Sequence, residues 1–439
     1  MSMNFKMQQL TFDESGHTIH NYQVFSVDDQ WIVFDARNDD GQIGATGRIL
    51  MLHTETAEIR ELYRTTNQSV FGPGVGAASF SPTGDVVIFI HGIRNAMAEK
   101  PYSFTRRTGV AIDIARPQHP VFMDARNITS PFTKGALRGG THAHCWSGDG
   151  QWISFTYNDF VMEQLAAVDP LKKDLRAVGV MLPLKKVVVP EDVEMENNDG
   201  ALFSVIVSRV TANPCAGTDD IEKAFDECWI GSNGYIGEDG TRKCRAIAFQ
   251  GHVADENGVL KTECFVADLP EDVDFEVGNE LIEGSIDTRP AVPSGITQRR
   301  ITFTQSGIMG PRHWLRTNAA GSIISFLSKD AQGIIQIFGV SPNGGAIRQL
   351  TFNAFDVQGQ FNFSPDGKSL AYPAGNRILL SSVDTGEIYF ETDPFSEADK
   401  PVGGVVWSNN GQMLAFNRYV SSAGRRFLQI FILKNTLPY

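Results

Sequence analysis

Two histidines, His142 and His144, stand two residues apart in a segment with the character of a β-strand. Because successive side chains of a strand point to opposite faces, we expect both imidazoles on one face, about 7 Å apart at Cα. Two imidazoles at this spacing can share a transition metal ion if a third ligand comes from elsewhere. His313 is the predicted third ligand. The alternative is structural: one histidine packs between sheets while the other hydrogen-bonds a carbonyl.

Three arginines, Arg138, Arg312 and Arg316, flank these histidines. Guanidinium groups that converge on one place bind a carboxylate or phosphate bidentately. With a nearby base, they would support β-elimination on a uronate or hydrolysis of an acidic sugar, by neutralising the carboxylate while a proton is removed. We assign Arg138 and Arg312 to catalysis and Arg316 to substrate binding. The alternative for each arginine is an ion pair between sheets.

Further candidates lie close by or in corresponding positions. Asp159 would orient an imidazole and joins the catalytic set, and Tyr157 joins the substrate-binding set. Gln23 and Gln360 occupy equivalent places in other repeats as oxygen donors to a substrate. The alternative for Asn158 and Asp159 is that the two residues simply form a turn.

Composition limits the kinds of partner. The net charge of −13 over 439 residues leaves no basic surplus for a nucleic-acid backbone. The sequence has no run of about 18 apolar residues and no apolar segment of signal-peptide length at its start. The five cysteines lack metal-type spacing. We therefore expect a cytoplasmic protein with reduced thiols, no membrane span and no nucleic-acid partner.

One unit recurs along the chain: an apolar stretch, an aromatic-Ser-x-x-Gly turn, and a strand of alternating apolar residues. Proline or aspartate inside the turn and glycine at its end favour a tight hairpin. The clear copies are 24–34, 79–89, 145–155, 362–372 and 406–416, with a degenerate copy at 316–326.

Each copy precedes two more strand-like runs, which makes four strands per repeat, as in a propeller blade. The sequence thus predicts an all-β fold, a single seven-bladed β-propeller over residues 1–439. The remaining blade, the fourth, is assigned the strands 203–208, 246–249, 264–267 and 299–303.

An insertion near 212–243 interrupts this fourth blade. Its apolar residues recur at helical spacing, and Asp219 with Glu222 resembles a capping box, so we predict one short helix. The residues on its apolar face are Ile221, Ala224, Phe225, Cys228 and Trp229.

The N-terminus is expected to close the ring. Residues 8–12, QQLTF, look like residues 348–352, RQLTF, which end another blade. We predict that 8–12 form the outer strand of the last blade and protect its edge.

The segment from Arg348 to Tyr372, with its RQLT and FSPDGKSLAY motifs, closely resembles the repeat of TolB-like propellers. The stretches 138–144, 155–159 and 311–314 also look like a bacterial TolB-like family of unknown function. The blade motif is similar to that of oligogalacturonate lyases. That resemblance implies a divalent metal in the central channel, held by histidines and a glutamine on inner strands.

Two functions follow as hypotheses. In the first, the propeller binds or acts on a small acidic carbohydrate in its axial pocket, helped by a divalent ion such as Mn, Zn or Ca. In the second, it is a non-catalytic interaction scaffold with a protein partner, and the channel residues are structural. Propellers serve as enzymes, binders and scaffolds alike.

Overall fold

The repeated turn joins the first two strands of successive sheets in the computed structural model, which describes residues 5–39, 41–271, 275 and 281–436. In one copy, Ser147 Oγ donates to Asp149 Oδ1 and accepts from the Trp152 N–H. Gly150 takes φ +68°, which glycine adopts without strain. The motif therefore fixes the hairpin, and seven sheets form the predicted all-β propeller.

The first two blades follow the N-terminal strand β1 (Phe5–Gln9). They contain, in order, β2 (Trp31–Asp35), a 3-10 helix (Ile43–Ala45), β3 (Arg48–His53), β4 (Ile59–Arg64), β5 (Val75–Phe80), β6 (Val86–Gly92), β7 (Arg107–Asp113) and β8 (Val121–Phe122). The innermost segment of blade 1 is held by isolated bridges, Thr18 to Asp35 and Phe25 to Ile32.

Blades 3 and 4 carry the longest connections. Their elements are β9 (Ala125–Arg126), β10 (Ala136–Leu137), β11 (Gly139–Trp146), β12 (Ile153–Asp159), α1 (Phe160–Ala166), β13 (Ala177–Leu182), β14 (Phe203–Ile206), β15 (Ile221–Trp229), β16 (Tyr235–Ile236), β17 (Arg242–Lys243), β18 (Ala246–Ala254), β19 (Leu260–Asp268) and β20 (Thr297–Arg300). Blade 3 has the order β11-β12-β13-β14 and blade 4 the order β15-β18-β19-β20.

Blades 5 to 7 complete the ring. Their strands are β21 (Arg316–Thr317), β22 (Ile324–Lys329), β23 (Ile335–Ser341), β24 (Gly344–Gln349), β25 (Asn362–Phe363), β26 (Ser369–Ala374), β27 (Arg377–Ser382), β28 (Ile388–Glu391), β29 (Pro401–Trp407), β30 (Met413–Ser422) and β31 (Arg425–Asn435). Among the described residues, no helix is both long and apolar enough to cross a membrane.

The N-terminal segment closes the last blade, as predicted. Strand β1 pairs antiparallel with β31, from Phe5 opposite Asn435 to Gln9 opposite Phe431. The strand ends at Gln9, earlier than the predicted 8–12. Beyond it the Thr11 hydroxyl accepts from the Ile430 N–H and continues the ladder.

The helix predicted in blade 4 is wrong, because residues 221–229 form strand β15, the inner strand of that blade. Its register against β18 shifts twice, between Ile221 and Ala224 and between Phe225 and Cys228. Each bulge adds one residue to the strand, so apolar side chains recur at three- and four-residue spacing. Two bulges thus imitate helical periodicity.

The strand assignment of blade 4 also needs correction. Residues 203–206 form β14, which pairs with β13 as the outer strand of blade 3. The one α-helix among the described residues is α1, and it lies in blade 3 rather than in the 212–243 segment. The chain enters blade 4 later than predicted, because the inner strand of that blade is β15 rather than residues 203–208.

Candidate functional site

The inner strands of the blades surround an axial channel whose two ends differ. At the end formed by the Ser-x-x-Gly turns lies a cavity of about 260 Å³. The opposite end, where the inner strands begin, we call the mouth. It is defined by Phe104, Arg107, His142, Arg176 and Arg312.

His142 and His144 face in opposite directions, because the strand that carries them is bulged. The register of β11 against β12 shifts between His142 and Cys145, and Ala143 takes φ +57°. His144 Nε2 lies 2.9 Å from Thr141 Oγ1, so His144 shares a face with Thr141. His142, next to Thr141 on the strand, lies on the other face. The expectation of two imidazoles on one face is wrong.

His144 packs between blades 2 and 3. Its ring lies against Gly109 of β7, where a Cβ atom would come within 2.8 Å of Nε2. Thr141, which contacts the ring, also donates to buried Asp124. Burial, with the charge of Arg107, lowers the pKa of His144 to about 3, so the ring is neutral at pH 7. This packing corresponds to the structural alternative.

His313 uses both ring nitrogens on the backbone. Its Nδ1 donates to the Pro311 carbonyl at 2.9 Å, and its Nε2 accepts from the Leu327 N–H at 3.0 Å. A metal ion needs an unprotonated nitrogen, and here that lone pair is already used. Within the described ranges, no group of three or more His, Cys, Asp or Glu could hold a metal ion. The structure does not assemble His142, His144 and His313 into the predicted metal set.

Arg138 and Asp159 form a buried ion pair. Arg138 Nη2 and Nε donate to Asp159 Oδ2 at 2.9 and 3.0 Å, and Arg138 Nη1 donates to the Ser285 carbonyl. Asp159 Oδ1 accepts from the Met162 N–H and caps α1. The Tyr157 hydroxyl accepts from the Arg138 backbone N–H at 3.3 Å. These contacts hold the start of β11 to the end of β12 and orient no imidazole.

Arg316 lies at the turn end of the channel. It donates to Asn362 Oδ1 and Asn21 Oδ1, both at 2.7 Å. Gln23 lines the same cavity, whereas Gln360 bridges to blade 7 through its backbone. Arg316 and Gln23 thus belong to the cavity at the turn end of the channel.

Arg312 is the predicted arginine that reaches the mouth. Its Nη2 donates to Asp226 Oδ1 at 2.8 Å and its Nε to Asp226 Oδ2 at 3.2 Å. Its guanidinium carbon lies 4.5 Å from the ring centroid of Trp314. The side chain is 55% exposed. Arg312 therefore places a partly exposed guanidinium, paired with Asp226, at this end of the channel.

Arg107, which the sequence analysis did not identify, is the first residue of β7, the third strand of blade 2. It lies at the mouth and is only 3% exposed. Its Nη1 donates to the Tyr102 hydroxyl at 3.1 Å. Its Nε and Nη2 are buried with no hydrogen-bond partner in the part of the chain that the structure describes. Burial lowers the pKa of Arg107, yet a guanidinium stays charged in proteins. A charged group thus has two unmade hydrogen bonds.

Arg176, also missed, lies directly before β13, the third strand of blade 3. Its guanidinium carbon lies 5.4 Å from the Phe104 ring centroid, and that of Arg107 lies 4.8 Å from the same centroid. Burial, followed by the charges of Arg107 and Arg312, lowers the pKa of Arg176. Burial and Arg176 likewise lower the pKa of Lys223. The mouth therefore concentrates positive charge around one aromatic ring.

His142 lies among these cations. Its ring centroid is 6.4 Å from that of Phe104. Burial, then the charges of Arg107 and Arg176, holds the pKa of His142 well below its usual range. Its Nδ1 is buried and makes no hydrogen bond to the described residues. The neutral imidazole can therefore hydrogen-bond a ligand in the mouth.

The sequence also indicates Arg107 and Arg176 as candidate site residues, if the third strands of the blades are considered as well as the inner strands. In a propeller the third strand of each blade begins at the same end as the first, so Arg107 and Arg176 reach the mouth from third strands. Both arginines stand directly before apolar strand runs.

Comparisons with known proteins agree with the fold. Residues 74–196, which include Arg107, His142 and Arg176, match a family described as "Protein of unknown function (DUF3748)". The chain is 36% identical over 418 residues to the "Uncharacterized protein YidR" of Escherichia coli (strain K12), covering 93% of this chain and 94% of that one.

Among solved structures, an oligogalacturonate lyase in complex with manganese superposes with a TM-score of 0.52 at 11% identity, covering 99% of this chain and 97% of the lyase. At that identity the likeness shows the fold alone. The identity to YidR over nearly the whole length shows a family as well. The chain belongs to the same family as YidR, and it folds as a seven-bladed propeller.

Proposed function

We propose that the protein binds a small acidic carbohydrate, such as a uronate, at the mouth of its axial channel. The observation that carries this proposal is the buried Arg107 guanidinium, whose Nε and Nη2 have no partner among the described residues. A buried charged group with unmade hydrogen bonds is costly. A ligand carboxylate would supply both the missing charge and the missing acceptors.

The unpaired edge of Arg107 is the edge that this protein uses elsewhere for carboxylates. Arg37 donates through Nε and Nη2 to Asp35, at 2.7 and 2.9 Å. Arg312 pairs with Asp226 through the same two nitrogens. Such bidentate pairs are the strong form of the guanidinium–carboxylate contact. At Arg107 the edge is left available for a carboxylate that a ligand would bring.

The surroundings also favour an anion. Arg176, Arg312 and Lys223 add positive charge, and Asp226 is already bonded to Arg312. The Phe104 ring holds the guanidinium groups of Arg107 and Arg176 by cation–π contact. The ligand would therefore meet a preorganised cluster of cations on a chain of net charge −13.

Support for a sugar acid, rather than another carboxylate, comes from the fold neighbour named for oligogalacturonate. That neighbour is also named for manganese, but the histidines here do not fit a metal. His144 and His142 face apart, and His313 spends its lone pair on Leu327. We therefore propose binding through arginines and derive no metal-assisted lyase step.

Isothermal titration calorimetry with D-galacturonate tests the proposal, with D-galactose as the uncharged comparison. We expect wild-type protein to bind galacturonate and not galactose, and Arg107→Gln to lose that binding. Arg60→Gln, at an exposed arginine outside the channel, is the matched control and should bind as wild type does. Binding that survives Arg107→Gln would overturn the proposed site. If the wild-type protein does not bind galacturonate, the result would favour the hypothesis of a non-catalytic interaction scaffold.

A further inference from the structure

Glu227 is a buried carboxyl group that neither the sequence motifs nor the anion site uses. It is 1% exposed and lies on β15 directly after Asp226, whose φ of +50° marks the bulge. The bulge sends Asp226 to Arg312, while Glu227 Oε2 accepts from Thr156 Oγ1 at 2.7 Å. Glu227 Oε1 is buried with no hydrogen-bond partner among the described residues.

Thr156 connects Glu227 to the mouth, because it donates a hydrogen bond to Glu227 and lies opposite His142 in the sheet. Thr156 on β12 is the direct cross-strand partner of His142, and opposite residues of an antiparallel pair project from the same face. His142 Nδ1 also lacks a partner among the described residues. Glu227 and His142 therefore both lie next to Thr156, and each has a buried polar atom with no hydrogen-bond partner among the described residues. Buried polar atoms without partners indicate that a partner is missing from the site.

We propose that Glu227 is a specificity-determining residue of the mouth: it carries a proton and donates it in a hydrogen bond to an uncharged acceptor oxygen of the bound anion. This rests on the proposed anion site. The preferred ligand then combines a carboxylate for Arg107 with an ether or hydroxyl oxygen beside it. A uronate has this combination, because its ring oxygen lies next to the carbon that bears the carboxylate.

The electrostatic surroundings are consistent with a proton on Glu227. Burial, helped by the charge of Asp226 and opposed by the Thr156 hydrogen bond and the charge of Arg312, raises the pKa of Glu227 to about 8. The nearby thiols of Cys145 and Cys228 stay neutral, because burial raises the pKa of each. At pH 7 the neutral acid dominates and can donate its hydrogen bond.

The affinity for galacturonate should fall as the pH rises. Above pH 8 Glu227 loses its proton, and the resulting carboxylate both repels the ligand and lacks a donor. With a pKa of about 8 in the free protein, galacturonate affinity should fall about tenfold between pH 7 and pH 9, and binding at pH 9 should take up about one proton. His142 does not titrate in this range, since its pKa lies well below 6.5.

The experiment titrates galacturonate into wild-type protein and Glu227→Gln at pH 7 and pH 9. Glutamine keeps a donor and cannot titrate, so the variant should lose the pH dependence while it binds at pH 7 within about threefold of wild type. Equal pH dependence in both proteins would overturn the role of Glu227 and leave the anion site standing. No wild-type binding at either pH would instead sink the proposed function.

Two measurements on unmodified protein keep the test decisive if Glu227→Gln folds poorly. Binding heats at pH 9 in two buffers of different ionisation enthalpy report the proton taken up, and a value near zero contradicts the proposal. Cyclohexanecarboxylate carries the same charged carboxylate on a six-membered ring, but it has no ring oxygen and no hydroxyl groups. It should bind wild-type protein at least tenfold more weakly than galacturonate at pH 7, and equal affinity would contradict the donor role.

Discussion

The two ends of the channel each hold a buried arginine, and the contacts of the two arginines differ. Arg316 at the turn end donates to Asn21, Asn362 and the Leu315 carbonyl. The guanidinium of Arg107 at the mouth makes one hydrogen bond to the described residues, to Tyr102, and its Nε–Nη2 edge has no hydrogen-bond partner among them. Both arginines are buried and positively charged, so these properties do not distinguish them. The hydrogen bonds do: those of Arg316 indicate a structural role, whereas the missing ones of Arg107 indicate a candidate ligand-binding residue.

The largest effect expected from this comparison is on ligand affinity at the mouth. Replacement of Arg107 by glutamine removes the charge and the bidentate edge, and galacturonate affinity should fall about 100-fold. Titration calorimetry measures it. The same substitution at Arg316 is the matched control and should leave affinity within about threefold; comparable losses in both variants would erase the distinction between the two ends.

Stability should respond in the opposite order. Arg316→Gln breaks hydrogen bonds that link blade 5 to blades 1 and 6, so the free energy of unfolding should fall by about 2–3 kcal/mol. Chemical denaturation of the ligand-free protein gives the value. A stability equal to wild type would show that Arg316 is not a structural link.

Arg107→Gln should leave the ligand-free protein as stable as wild type, or stabilise it by about 0.5–1 kcal/mol. The reason is that it removes a buried charge whose hydrogen bonds are incomplete, the trade of stability for function expected at a binding site. Denaturation of the two proteins side by side measures this. A clear loss of stability would mean that the guanidinium has structural partners after all.

The smallest effect concerns salt. The mouth attracts an anion through several partly exposed cations, Arg312 among them, so galacturonate affinity should fall about two- to threefold between 50 and 300 mM NaCl. Calorimetry at the two salt concentrations measures this fall. An affinity that does not change would place the bound carboxylate away from these cations.

The fold could be predicted because each blade repeats its own local chemistry. The Ser147 and Ser364 turns make the same hydrogen bonds, and an LTF sequence directly follows the outer strand of two blades. The errors came from bulges, since one extra residue in β11 turned His144 away from His142, and two in β15 imitated a helix. Periodicity assumes regular backbone, and left-handed residues such as Ala143 and Asp226 break it.

The candidate site was harder to predict than the fold. Arg107, His142 and Arg176 are distant in sequence and lie in two different blades. They come together because third and first strands begin at the same end of the ring. Arg138, next to the histidines in sequence, instead pairs with Asp159 inside blade 3. Sequence proximity suggested Arg138, whereas radial packing brings Arg107 to the mouth.

A crystal structure of the protein with D-galacturonate would show whether Arg107 binds the sugar carboxylate. The measured quantity is the distance from the sugar carboxylate oxygens to Arg107 Nε and Nη2. We predict two hydrogen bonds of about 2.7–3.0 Å, with the sugar ring beside Phe104. A galacturonate bound at the turn-end cavity near Arg316, or an Arg107 edge already paired with another group of the protein, would contradict it.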